Sequence, residues 1–256
     1  MNVIVCYKVV PEEQDISILP DRTLSLDKVE WKIGQYDLNA VEAGVQIVEK
    51  IGGKVSALSV GAKHLDNSKL IKDILSRGPQ DLYLVVDNQL GEADTYQTAV
   101  SLAEAINKIG TFDLIICGEG SSDLYAQQVG PQLGELLGLP VVNAVSKIES
   151  DGNKVIVERT LESEIEVLEI TLPAVLCVTT DINLPRIPTM KHILAASKKP
   201  VTKWTIAELG IEVGVKPTKI ISTLAPQKAE RQGIIIEGDS EEAVQKLFNY
   251  LCKEIL

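Results

Sequence analysis

Aromatic side chains are scarce. Only two phenylalanines and two tryptophans occur in 256 residues, so valine, isoleucine and leucine must fill the core. No stretch approaches the ~18 apolar residues of a membrane-crossing helix. The four cysteines, Cys6, Cys117, Cys177 and Cys252, contain no CxxC pair, which argues against a zinc or iron–sulfur site. Cys6, Cys117 and Cys177 sit in or at the end of apolar runs and read as small buried thiols. Positive charge is in deficit: the formal net charge is −11, and an acidic surface repels nucleic acid and anionic lipid. Histidine is limited to His64 and His192, neither beside a serine or cysteine nucleophile in a recognisable motif. No catalytic constellation or metal cluster emerges, and His64 reads as a surface residue of a loop-to-helix turn.

The chain has 45% hydrophobic and 24% charged residues, ordinary values for a globular protein. Its apolar opening, MNVIVCYKVV, is short for a signal peptide and has no basic leader. It reads as a first buried strand, and the expected compartment is the cytoplasm. Short apolar runs then alternate with amphipathic ones. Strands are expected at 3–6, 55–60, 82–86, 114–117 and 174–179, and helices at 39–51, 65–76, 94–109, 123–137 and 241–255, with Asp94 or Thr95 near a cap. This alternation is the pattern of βαβ units around a parallel sheet, whose right-handed crossovers bring all strand C-termini to one edge, where ligands of such folds bind. Period-two alternation at 154–160 and 164–170 predicts a hairpin. A Pro-broken basic segment follows at 183–203. The stretch 214–233 carries few periodic apolar residues and reads as laid over a partner or disordered. The expected organisation is a nucleotide-binding α/β domain over 1–204 and a C-terminal arm with a helix over 205–256.

Two loops at strand C-termini carry small or polar residues: Ser59-Val60-Gly61-Ala62-Lys63, and Cys117-Gly118-Glu119-Gly120-Ser121-Ser122-Asp123, the latter expected to lead straight into a helix. Glycine lets backbone approach a phosphate, a helix N-terminus offers free N–H groups, and Ser121 and Ser122 add hydroxyls. The signal is weak alone, because Gly-Glu-Gly is not a full GxGxxG and no Walker lysine follows. On spacing alone, an ordinary βα turn whose serine or aspartate caps the helix accounts for it better.

Several segments together resemble the beta subunit of electron transfer flavoproteins. They are Cys6-Tyr7-Lys8-Val9-Val10-Pro11, Gln35-Tyr36-Asp37-Leu38-Asn39-Ala40-Val41-Glu42-Ala43, Leu58-Ser59-Val60-Gly61, Ser76-Arg77-Gly78-Pro79, Gly118 through Pro131, Leu172-Pro173-Ala174-Val175, Asn183-Leu184-Pro185-Arg186-Ile187-Pro188-Thr189-Met190, and Lys198-Lys199-Pro200-Val201 with Trp204. The resemblance runs in order from the N-terminus to about Gly210 and weakens beyond. The run from Ser121 to Gly130 is most similar to the Fix-type branch and to members linked with anaerobic carnitine metabolism. Bifurcating members usually show an Asp-Gly-Asp-Thr-like run where this chain has Asp123-Leu124-Tyr125-Ala126, a departure that speaks against a bifurcating second flavin.

The resemblance implies a Rossmann-like parallel sheet flanked by helices, of the adenine nucleotide alpha hydrolase-like kind, with a β-hairpin insertion and an extended C-terminal arm. It implies an electron carrier without independent catalysis. Such a chain pairs with an alpha subunit that holds most of the redox FAD, and itself binds AMP or a second FAD. Carried over by position, the nucleotide site would use Cys6, mainly through its backbone near the adenine, with Gly34, Gln35, Tyr36, Asp37 and Val60. The phosphate would lie on Gly118, Gly120, Ser121, Ser122 and Asp123, with Ala126, Gln127, Gln128 and Val129 beyond. Partner recognition by a flavoprotein dehydrogenase would fall on Pro188, Thr189, Met190, Lys191 and Ile193, with Met190 as an apolar anchor rather than a core residue. Arg186, Lys191, His192, Lys198, Lys199 and Lys203 would steer an acidic partner. Two other classes share the architecture: an adenine-nucleotide hydrolase or ligase, which would need metal-binding carboxylates or a phosphate-contacting signature at the Gly118 loop, and a universal-stress-like ATP-binding module, which usually ends near ~150 residues.

Overall fold

The computed structural model describes residues 1–150, 152, 154–211, 218–227 and 233–255. They form two compact units, one of Met1–Ser17 with Ser25–Ser222, the other of Ile18–Leu24 with Thr223–Leu256. The larger unit is α/β. Its elements are β1 (Asn2–Cys6), α1 (Gln35–Ile51), β2 (Lys54–Gly61), α2 (Ser68–Ser76), β3 (Asp81–Val86), α3 (Thr95–Ile109), β4 (Leu114–Gly118) and α4 (Val129–Leu137). After these come β5 (Val141–Ser150), β6 (Lys154–Thr160), β7 (Ile165–Thr171), β8 (Ala174–Val178), α5 (Met190–Ala196) and β9 (Val201–Trp204). A nine-stranded sheet runs in the order β7-β6-β5-β8-β4-β1-β2-β3-β9. Every neighbouring pair from β5 to β9 in that order is parallel, and β6 and β7 extend the sheet antiparallel.

Both faces are covered, so the central strands are apolar throughout. Val3 and Val5 of β1 point into a cluster with Val41, Val45 and Val48 of α1 and Leu70 and Ile74 of α2. Ile4 and Cys6 point the other way, against Leu102 and Ile106 of α3 and Leu133 of α4. Asp94 caps α3 in a capping box: Gln97 N–H donates to Asp94 Oδ1 at 2.9 Å and Gln97 Oε1 accepts from the Asp94 amide at 3.4 Å. Such a box satisfies two otherwise orphaned donors.

The structure departs from the sequence pattern in four places. The expected helix 123–137 begins only at Val129, because Tyr125 (φ 46°) and Gln127 (φ 56°) are left-handed and cannot continue a right-handed helix. Strand β5 was absent from the periodicity because Ala144 is also left-handed, φ 55°. The irregularity there puts the buried Val142 and Val145 three positions apart instead of two. The hairpin at 154–170 is therefore continuous with the main sheet through β5. Strand β9, inside the basic segment, is an edge strand paired only to β3, with Trp204 stacked on Tyr83 at 5.3 Å.

In the smaller unit, Ala225 N–H donates to the Arg22 carbonyl at 2.8 Å. Helix α6 (Glu241–Ile255) exposes Val244, Leu247, Phe248 and Leu251, an apolar stripe at helical spacing. Of the stretch 214–233, residues 214–217 and 228–232 lie outside the described residues.

Candidate functional site

Strands β1 and β4 are neighbours, but the chain leaves them in opposite directions: from β1 through α1 to β2, and from β4 through α4 to β5. Their C-terminal ends form the topological switch point, the place where open α/β sheets bind ligands. Cys6 and Gly118 end these two strands. Gly34 donates its N–H to the Lys8 carbonyl at 3.0 Å and caps α1, placing Gln35, Tyr36 and Asp37 at the same edge. Val60 stands near the end of β2, half-buried against the α3 side of the sheet.

Asp37 joins the two strand ends. Its Oδ2 accepts the Lys8 amide at 2.9 Å, and its carboxylate also accepts the Gly118 amide. Burial pushes its pKa up to about 7, although both amides pull it down. Gly118 is confined by this same contact. A Cβ there would lie 2.8 Å from Tyr36 Cβ and 2.9 Å from Asp37 Oδ1, distances that real Cβ atoms essentially never show. Sequence reasoning assigned this glycine to a phosphate; in the fold it first makes room for the opening turn of α1. Cys6 turns its thiol inward toward that of Cys117, which raises the Cys117 pKa together with burial.

Beyond Gly118 the loop is pinned by side chains. Lys8 Nζ bridges both oxygens of Asp123, at 2.8 and 2.6 Å. Burial raises the Asp123 pKa, but hydrogen bonds from Lys8 and Ser121 hold it below the usual carboxylate range. Tyr125 donates to Glu119 Oε1 at 2.5 Å, which raises the phenol pKa. The Tyr125 ring crosses over Gly120, where a Cβ would lie 2.5 Å from it, and stands 5.2 Å from the Tyr36 ring. Thr95, at the start of α3, donates to Gln128 Oε1 at 2.8 Å. Ser122, Ala126 and Gln127 are exposed, and Val129 is half-buried at the first turn of α4. The amides of Gly120, Ser121, Ser122 and Asp123, and of Gln127, Gln128 and Val129, have no acceptor among the described residues. Gln127 among them, and Tyr125 just before it, are left-handed, and such residues help gather N–H groups into anion-binding concavities.

Several contacts of the site were invisible to sequence reasoning. Lys8 and Asp123 are 115 positions apart, and no local pattern joins them. Trp31 stacks on His64 at 4.1 Å with 12° between the rings. His64 is thus half-buried rather than a plain surface residue, and burial followed by the nearby Lys8 lowers its pKa.

The basic segment also divides differently from expectation. Thr189 Oγ1 accepts the His192 amide at 3.4 Å and caps α5. Pro188 precedes this cap half-buried, whereas Met190, Lys191 and Ile193 are exposed, Met190 to 71%. Of the six expected steering groups, three are engaged within the chain. Arg186 binds Glu42 and Glu49, Lys203 binds Asp66 at 2.6 Å, and Lys199 donates to the carbonyls of Leu75 and Pro79 at 2.7 and 2.6 Å. Lys191, His192 and Lys198 keep exposed side chains without an ion pair among the described residues. Among those residues no helix is long and apolar enough to cross a membrane, and no cluster of three potential metal ligands occurs. Residues 22–209 match the family model of the electron transfer flavoprotein domain.

Proposed function

Since the chain belongs to the electron transfer flavoprotein family, whose members carry electrons rather than catalyse, we propose that it is the beta subunit of a heterodimeric carrier. It pairs with an alpha subunit that holds most of the redox FAD, and binds AMP or a second FAD at the β1–β4 edge. It docks a flavoprotein dehydrogenase of acyl-CoA or carnitine type through the segment around Met190, as in the Fix-type branch, and the electrons continue to a separate acceptor. The observation that carries the nucleotide reading is the set of amides around Gly120, Ser121 and Gln127 without an acceptor among the described residues, joined by the exposed Ser122 at a switch point. These groups fit a phosphate, which takes up N–H donors at such loops.

The flavin supplies the redox chemistry. The residues of this chain hold and orient. Lys8 fixes Asp123 and thereby the loop. Asp37 keeps the two strand ends together. Gly120 leaves room for the Tyr125 ring, which a Cβ there would meet at 2.5 Å. The test is acid extraction of nucleotides from the purified heterodimer, with FAD and AMP counted per dimer. One adenine nucleotide beyond the redox FAD supports the reading, as AMP or as a second FAD. A heterodimer whose only nucleotide is one FAD rejects the site.

A further inference from the structure

The segment between β8 and α5 is held chiefly through Arg186. Arg186 Nε and Nη2 donate to the two carboxylate oxygens of Glu42 at 2.7 and 3.1 Å. Its Nη1 and Nη2 donate to the two oxygens of Glu49 at 2.7 and 2.9 Å. Both acceptors lie on α1. The Arg186 amide adds a bond to Glu42 at 3.2 Å, and its carbonyl accepts Arg77 Nη1 at 3.0 Å. The guanidinium is thereby bidentate to two carboxylates, a geometry lysine cannot reproduce. One turn closer to the switch point, Asn39 of α1 holds the carbonyls of Thr180 and Asn183 at 3.2 and 2.8 Å. The backbone from Thr180 to Arg186 is thus fastened to α1 and to Arg77, while three apolar side chains of the segment stand clear. Leu184 is 92%, Ile187 89% and Met190 71% exposed. Exposed groups of this size are ordinary singly, but here they recur every third residue around one half-buried fork.

We propose that Arg186 is the positioning residue of the docking surface, presenting Leu184, Ile187 and Met190 as three preformed apolar knobs to a flavoprotein partner. This rests on the docking role given to Met190 above and extends that surface towards β8. The occupant is a flavoprotein whose apolar pocket has an acidic rim. On a chain of net charge −11, the exposed Lys191, His192 and Lys198 are the complement such a rim would meet. Preorganisation matters because each apolar side chain that must be ordered on binding costs affinity. A segment already fastened meets that cost on folding.

The experiment uses the complex with its flavin-holding subunit and an acyl-CoA dehydrogenase that reduces the parent complex saturably. Arg186→Lys keeps the charge and loses the fork. Glu49→Gln weakens the fork from its exposed side and leaves the buried Glu42 paired. Both should raise the KM for the complex as electron acceptor, Arg186→Lys by about tenfold, with kcat within about twofold and flavin and nucleotide content as in the parent. Hydrogen exchange of the amides at 184–193 should quicken in both. Met190→Ala is the reference. If it raises KM while Arg186→Lys does not, the positioning role is overturned and the docking role stands. If Met190→Ala is also without effect, both fall. A loss of kcat at unchanged KM in Arg186→Lys equally overturns the proposal.

Discussion

Asp37 holds two strand ends from a buried site, and its protonation is coupled to folding. Its pKa in the fold is about 7, against an ordinary 3.8. Between those values the folded chain binds a proton that the unfolded chain has lost, so this group makes stability fall as pH rises from about 4 to 7, with no further loss above. An Asp37→Asn variant removes the titration but offers one acceptor oxygen to two amides. It should therefore be less stable than the parent at pH 5, and the gap should narrow by pH 8, as read from urea unfolding at both values. A constant gap would mean that Asp37 is ionised throughout. Gly118 and Ser121 separate packing from binding. Gly118→Ala puts a methyl against Tyr36 and Asp37 and should destabilise even the nucleotide-free chain, by about 1–3 kcal/mol. Ser121→Leu lies on a half-exposed loop and should leave nucleotide-free stability within about 0.5 kcal/mol. It should abolish bound nucleotide, and with it the stabilisation that a ligand gives the state it binds. Equal nucleotide content in parent and Ser121→Leu would move the phosphate elsewhere. Gly118 was legible in the sequence as a special glycine. Its physical reason was not, because the constraint comes from Tyr36 and Asp37, remote in sequence and adjacent only once β1 and β4 pair.

Helices were legible where one face is apolar, as in α1, α3 and α6, whose spacing survives in the fold. The start of α4 was not, because Tyr125 and Gln127 turn left-handed in a loop pinned by Lys8–Asp123 and Tyr125–Glu119. These long-range and loop contacts override local helical preference. Strand β5 failed for the opposite reason: a local irregularity at Ala144 broke an alternation that pairing with β6 and β8 restores. The docking segment also differs from the expected loop, since Thr189 to Ala196 is a capped helix that sets Met190 at its first turn. Met190→Ala should weaken docking by about 1–3 kcal/mol, mainly through faster dissociation. Lys191→Glu should slow association instead, and salt should mask the difference. Stopped-flow electron transfer across a salt series separates the two. Lys199→Ala should behave otherwise, losing stability rather than steering, since Lys199 is committed to carbonyls at the end of α2.

At the scale of the molecule, parallel order was legible from the alternation of apolar runs and helices, while the extension by β5 to β7 and the edge strand β9 were not. The stripe Val244, Leu247, Phe248 and Leu251 on α6 is expected to face the alpha subunit. Leu247→Asp with Phe248→Asp should prevent heterodimer recovery while leaving the circular dichroism of the chain unchanged. Normal recovery would assign assembly to another surface. Cys6, Cys117 and Cys177 lie at or next to the C-terminal ends of three neighbouring strands and are buried, whereas Cys252 is partly exposed on α6. The chain thereby carries its own clock for opening of the sheet. An alkylating reagent should label Cys252 at once and reach the other three only as often as β1, β4 and β8 part, so counting labelled thiols over time reads how tightly the switch point stays shut, with no probe attached and no residue changed.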